Sequence, residues 1–139
     1  MSYKIISNFI KDISFEIPDA ETMLFFEKNI SSYIVMIDLK AKPLKDNIIQ
    51  VELGFKFENP NIIKNKVLVE ITYVSLVTVE IDNKEDKKVL EKIILIDVPK
   101  EIYPNVFDIF SFLIKKSGLQ EMNVKKDIDF EKLYNERKN

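Results

Sequence analysis

From Asp12 to Ile17 the chain alternates strictly, with Ile13, Phe15 and Ile17 separated by Asp12, Ser14 and Glu16. A period of two places the apolar set on one face of a strand and the polar set on the other, so two carboxylates stand on a solvated sheet surface. Pro18 has no amide hydrogen to give to a ladder, and Pro18-Asp19 favours a turn, which predicts the end of this strand. The alternation returns in Tyr33, Val35, Ile37 and Leu39, set against Ile34, Met36, Asp38 and Lys40, with Pro43 just beyond. It returns again in Ile49, Val51, Leu53, Phe55 and Phe57, until Asn59-Pro60-Asn61 turns the chain. A fourth run, Lys66 to Ile81, sets Val67, Val69, Ile71, Tyr73, Val77 and Val79 against Leu68, Glu70, Thr72, Thr78 and Glu80. Its length predicts a strand that bends or changes partners.

After Ile81 the period becomes helical. Asp82 and Glu85 resemble a capping box, and Val89, Leu90, Ile93 and Ile94 predict a helix near Lys84 to Ile96, before Pro99 interrupts the pattern. Pro104 suits the first turn of a second helix, from about Asn105 to Ser117, with Lys115 and Lys116 in its last turn and Gly118 as its stop. No strand is apolar on both faces throughout, so the fold class is α+β: a four-stranded antiparallel sheet with helices packed on one face. The second helix exceeds what one sheet can bury, because Val106, Phe107, Ile109, Phe110, Phe112, Leu113 and Ile114 occupy nearly its whole circumference. Burying one such side chain contributes roughly 1.5 to 3 kcal/mol, and leaving several exposed invites association. A homo-oligomer joined through this helix is the expectation. The alternative is that Phe130, Leu133 and Tyr134 cover the outer stripe within one chain.

Composition narrows the chemistry. The 139 residues fit one domain, spanning 1–139, with 21 basic and 23 acidic side chains and net charge -2. So small a charge gives no global field for nucleic acid or an anionic membrane. On the inferred outer sheet face, however, Asp12, Glu16, Asp38, Glu52, Glu58, Glu70 and Glu80 oppose only Lys40 and Lys56. An acidic surface on a near-neutral protein is expected there. With no Cys and no His, thiolate nucleophiles, Ser-His-Asp triads and imidazole-bound zinc are excluded. Gly54 and Gly118 are too far apart to form a phosphate loop, and no run has the spacing of a calcium loop. No catalytic residue, metal or cofactor is expected. No stretch approaches the roughly 18 consecutive apolar residues of a membrane span, and no basic leader precedes an apolar core, so the chain reads as soluble and unprocessed.

Lys11-Asp12-Ile13-Ser14-Phe15-Glu16-Ile17-Pro18-Asp19-Ala20 resembles the N-terminal signature of the SecB protein-export chaperones. Val98-Pro99-Lys100-Glu101-Ile102-Tyr103-Pro104 resembles the segment that enters that family's long helix, and Ser117-Gly118-Leu119, Met122-Asn123-Val124 and Asp129-Phe130-Glu131-Lys132-Leu133-Tyr134 resemble its closing motifs. Asn105-Val106-Phe107 and Val74-Ser75 depart from the family pattern, which marks a divergent member.

The resemblance implies a cytoplasmic, non-enzymatic homotetramer, a dimer of dimers. Such a chaperone holds unfolded preproteins in apolar grooves and delivers them to the SecA motor. By position, the SecA-contacting residues fall on Asp12, Glu16, Leu68 and Glu70, all outward in the strand phasing above. Positions that loosen the tetramer fall on Val69, Ile71 and Tyr73, which face the helices; Phe107, Phe110, Phe112 and Ile114 join them as interface candidates. The linker from Ala20 to Ser32 is too apolar for an idle loop and resembles the groove-lining crossover. Its Met23, Leu24, Phe25, Phe26 and Ile30, with Tyr103, Phe130 and Tyr134, are the client-groove candidates, and ordinary core is the competing role for each aromatic. Burial is non-directional, so such a groove accepts many sequences. A chaperone dedicated to one partner, such as an antitoxin, needs the same grooves without the docking face. A lipid carrier would need a convergent polar anchor, and the sequence offers none.

Overall fold

The computed structural model describes residues 2–80, 86–119 and 128–138. Four strands come first: β1 (Ser2–Glu16), β2 (Ile34–Pro43), β3 (Ile48–Glu58) and β4 (Leu68–Glu80). The Ala20–Asn29 helix, α1, and a 3-10 turn at Ile30–Ser32 lie between β1 and β2. The second half holds α2 (Lys87–Lys92), a π-helical turn at Ile93–Asp97, α3 (Val98–Lys116) and α4 (Phe130–Lys138). The strands pair antiparallel in the order β1-β4-β3-β2, and the helices pack on the face carrying Val51, Leu53, Phe55, Phe57, Val69 and Ile71. This is the expected α+β architecture.

β1 is much longer than its alternation predicts, because two bulges hide its first half. Ile5 pairs with Val77 but Ser7 with Leu76, and Ile10 pairs with Tyr73 but Asp12 with Thr72, so Ile6 and Lys11 are extra residues. Each extra residue reverses the parity of the strand, which puts Ile5, Ile10, Ile13 and Phe15 on one face although their numbers do not alternate. β4 does not change partners as its length suggested. It keeps an unbroken register with β3 and pairs with β1 along its whole length, the irregularity lying in β1.

The prolines also act differently from expectation. α2, the π turn and α3 follow one another without a break, so Pro99 does not interrupt the helix; it occupies the first turn of α3. The amide of Val98 donates to the carbonyl of Ile93, and this wider five-residue turn delivers the chain to a position where the missing proline amide costs little. Pro104 therefore lies inside α3, on its exposed side, and does not begin it. Gly118 ends α3 as expected, at φ +82, a backbone region that residues with a Cβ enter at a cost. The amide of Gly118 donates to Lys115 O and that of Leu119 to Ile114 O, which forms a Schellman stop closed by buried Leu119. The proposed capping pair Asp82 and Glu85, and Met122-Asn123-Val124, lie outside the described residues.

Aromatic rings knit the two layers. Phe110 of α3 lies 5.0 Å from Phe55 and 4.9 Å from Phe57, and Phe57 continues at 5.3 Å to Tyr33. Phe130 of α4 meets Tyr103 of α3 at 5.9 Å, and Tyr103 in turn lies 6.4 Å from Phe55, so α4 joins the same core. The Tyr134 hydroxyl donates to Glu91 at 3.0 Å and pins α4 to α2. Tyr3 donates to Glu101 at 2.9 Å, tying the start of β1 to α3; burial and that carboxylate push its pKa up to about 12.

Among the described residues, Ser75 carries a buried polar atom without a hydrogen-bond partner. Ser75 is fully buried on β4, paired opposite Val51, and its Oγ makes no hydrogen bond. A buried hydroxyl without a partner is a net cost, so Ser75→Ala is expected to raise unfolding free energy by about 1 kcal/mol. A shift of the urea midpoint to higher concentration checks this, and a shift downward contradicts it.

Candidate functional site

The strand register gathers the four docking candidates into one patch. Asp12 pairs with Thr72, Ser14 with Glu70, and Glu16 with Leu68, which sets Asp12, Glu16, Leu68 and Glu70 side by side on the face away from the helices. Asp12 and Glu16 are exposed, and Leu68 is 40% exposed. Ser14 Oγ donates to Asp12 Oδ2 at 3.2 Å, and Lys56 lies 3.6 Å from Glu70.

The face as a whole is less acidic than the pattern predicts. β1 extends to Ser2 and bulges at Lys11, and β2 extends to Pro43, so Lys4, Lys11 and Lys42 join Lys40 and Lys56 against the same seven acids. Lys11 reaches Glu52 at 2.8 Å. The charges instead separate along the strands. Asp12, Glu16, Asp38, Glu58 and Glu70 occupy the end where β1 finishes, with Lys56, whereas Lys4, Lys11, Lys40 and Lys42 occupy the other end, with Glu52 and Glu80.

On the opposite side of the sheet, the apolar stretch read as a linker is a helix. Asp19 caps it, accepting from the Thr22 amide at 2.8 Å, and Glu21 and Lys28 suit the dipole at its two ends. Phe26 is fully buried against Tyr33 and Phe57, at 4.9 Å and 6.4 Å. Met23 and Ile30 are half-buried, while Leu24 is 60% and Phe25 37% exposed. Tyr103, Phe130 and Tyr134 are core residues. Within one chain, then, Leu24 and Phe25 are the groove candidates that offer surface.

Hydrogen bonds from Thr22 hold the Asp19 carboxyl below the usual carboxylate range. A pKa lowered by folding contributes stability above the unfolded value and loses it as pH falls through the folded one. The helical circular-dichroism signal is therefore expected to decline at acidic pH, and Asp19→Asn, which keeps a capping oxygen but cannot titrate, should flatten that decline.

The interface candidates divide in the same way. Val69, Ile71, Tyr73, Phe110 and Ile114 are buried, Phe107 is half-buried, and Phe112 is exposed, with Lys116 Nζ 5.7 Å from its ring centroid. The larger apolar surface is one the alternation missed. β1 is an edge strand, and Ile6, Phe9, Ile10 and Ile13 along it are 39% to 51% exposed. The signal was present in Ile5-Ile6 and Phe9-Ile10, doublets of the kind a bulge produces. The β2 edge differs: it carries Lys40, Lys42 and Pro43, and Arg137 of α4 donates to Leu39 O at 3.2 Å. Among the described residues no group of His, Cys, Asp or Glu is arranged to hold a metal, and no helix is long and apolar enough to cross a membrane.

Comparison with known proteins agrees with this architecture. Residues 1–139 match the family described as preprotein translocase subunit SecB. A putative protein-export protein SecB from Pelagibacter ubique is 45% identical over 138 residues, covering 99% of this chain and 98% of the relative. The protein-export protein SecB of Rhodospirillum rubrum is 27% identical, over 96% of this chain and 80% of its own length. Among solved structures, a SecB-like chaperone of Mycobacterium tuberculosis in complex with an antitoxin peptide superimposes with TM-score 0.66 at 11% identity, covering 91% of this chain and 88% of that one. The family match along the whole chain and the 45% identity to a SecB relative lead to one assignment: this chain belongs to the SecB family.

Proposed function

We propose that the chain is a cytoplasmic export chaperone: it holds unfolded preproteins on apolar surfaces and delivers them to the SecA motor. It acts by binding, without catalysis or cofactor, as one domain spanning 1–139. The observation that carries this reading is the separation of two surfaces by the sheet. Exposed Leu24 and Phe25 lie on the helical side, while Asp12, Glu16, Leu68 and Glu70 lie on the other, so a client and a motor can be held together. Assembly into a dimer of dimers fits the uncovered β1 edge and exposed Phe112.

The test is suppression of aggregation of a chemically denatured protein. Leu24→Ser with Phe25→Ser removes two exposed apolar groups and leaves Phe26 in the core, so suppression is expected to fall several-fold at unchanged oligomer size. Unchanged suppression removes α1 from the client surface.

A dedicated chaperone for an antitoxin is the second reading, favoured by the fold shared with a chaperone solved on an antitoxin peptide. Asp12→Asn with Glu70→Gln separates the two. Loss of stimulation of SecA supports export, and unaltered client protection with no effect of SecA supports the dedicated role.

A further inference from the structure

We infer that a hollow at the free edge of β2 binds a compact anion carrying several phosphate groups. The hollow has a volume of about 640 Å³ and is lined by Lys11, Lys40, Lys42 and Arg137, with Glu52 as its single carboxylate. That volume falls in the range of small-molecule sites. Lys11 neutralises Glu52 at 2.8 Å. Among the described residues no carboxylate lies within ion-pairing distance of Lys40, Lys42 or Arg137. Lys40 stands across from Glu52, which Lys11 already engages, so four cations share one acid and the hollow keeps a net positive charge.

Arg137 adds geometry to charge. One of its N–H groups donates to the Leu39 carbonyl at 3.2 Å, which fixes the guanidinium over the strand edge. A guanidinium has five donors in a planar fork, so the remaining ones are available to bridge phosphate oxygens. Gln50 supplies a neutral amide and Leu95 an apolar wall. No aromatic ring lines the hollow, so nothing there stacks a nucleobase; the phosphates themselves are the ligand. The hollow is built mainly on β2 and α4, with Lys11 reaching across from β1 to Glu52, and it does not depend on the chaperone reading.

Titration calorimetry of the full chain with inorganic tripolyphosphate, at about 0.15 M salt, tests the proposal. Saturable binding with one site per chain is expected. An exposed charge contact is worth up to about fivefold in affinity, so Lys40→Gln with Lys42→Gln should weaken binding about tenfold. Arg137→Gln should weaken it as well, and Lys56→Gln, at the far end of the sheet, should not. Absence of saturable binding overturns the proposal, as does binding that ignores the double variant. An oligoglutamate that binds as tightly and with the same sensitivity overturns the assignment to phosphate. Co-sedimentation with phosphatidylglycerol vesicles that tripolyphosphate does not compete away overturns the compact ligand.

Discussion

Replacing Phe110 with alanine is expected to lower the unfolding free energy by about 3 to 5 kcal/mol, a large part of the total for a domain of this size. Phe110 is 1% exposed and sits where α3 meets the sheet, against Phe55 and Phe57 of β3 and 6.1 Å from Phe107 on its own helix. Truncation removes the ring that joins α3 to the sheet, and the rigid strand beneath it cannot collapse into the space. Ile63, 85% exposed between β3 and β4, is the internal control: Ile63→Ala should change stability by no more than about 0.5 kcal/mol. Urea unfolding of the two variants gives the comparison, and similar midpoints would refute the assigned packing.

The second large effect concerns assembly. In the assembly proposed above, Ile10→Lys with Ile13→Lys is expected to weaken self-association by roughly tenfold or more, visible as a smaller species in sedimentation velocity. Association can bury only the exposed 46% and 39% of these isoleucines, worth roughly 0.6 to 1.4 kcal/mol each, and two reach that factor. The contrast between the two edges motivates the test. β1 presents 15 residues of strand with four exposed large apolar groups, whereas β2 is guarded by lysines, a proline and the Arg137 side chain. Charged and proline-bearing edges resist pairing, and long apolar edges invite it. Ile34→Lys with Met36→Lys on β2 should leave the assembly intact. A double β1 variant of unchanged mass would exclude that edge as the joint.

Much of the fold was legible because most strands obey one rule. Val51 to Phe57 alternates without exception, and it pairs with β4 in an unbroken register. Asp12, Glu16, Leu68 and Glu70 were placed on one face for the same reason, and the register puts them in one patch. Where a rule broke, the reading stopped. Ile6 and Lys11 each shift the parity of β1, so its first half looked unstructured and its edge surface went unseen. α1 buries only Thr22 and Phe26 fully, too narrow a stripe to declare a helix amid other apolar residues. Pro104 was given the first-turn position that Pro99 holds, and Pro99 was read as a break, because a π turn, which has no simple sequence mark, moves the start of α3. The burial of Tyr103, Phe130 and Tyr134 depends on how α4 folds back, a long-range contact that local pattern does not encode.

The separation of charge along the strands gives the outer face a direction. With seven acids against five bases it exerts little net pull on a distant partner, yet its two ends attract opposite signs. A polar partner that comes within a Debye length, about 8 Å at physiological salt, therefore feels a torque before it feels a grip. The face works as a compass needle: it selects the angle of approach along β1 and β4, and salt blurs that angle before it abolishes contact.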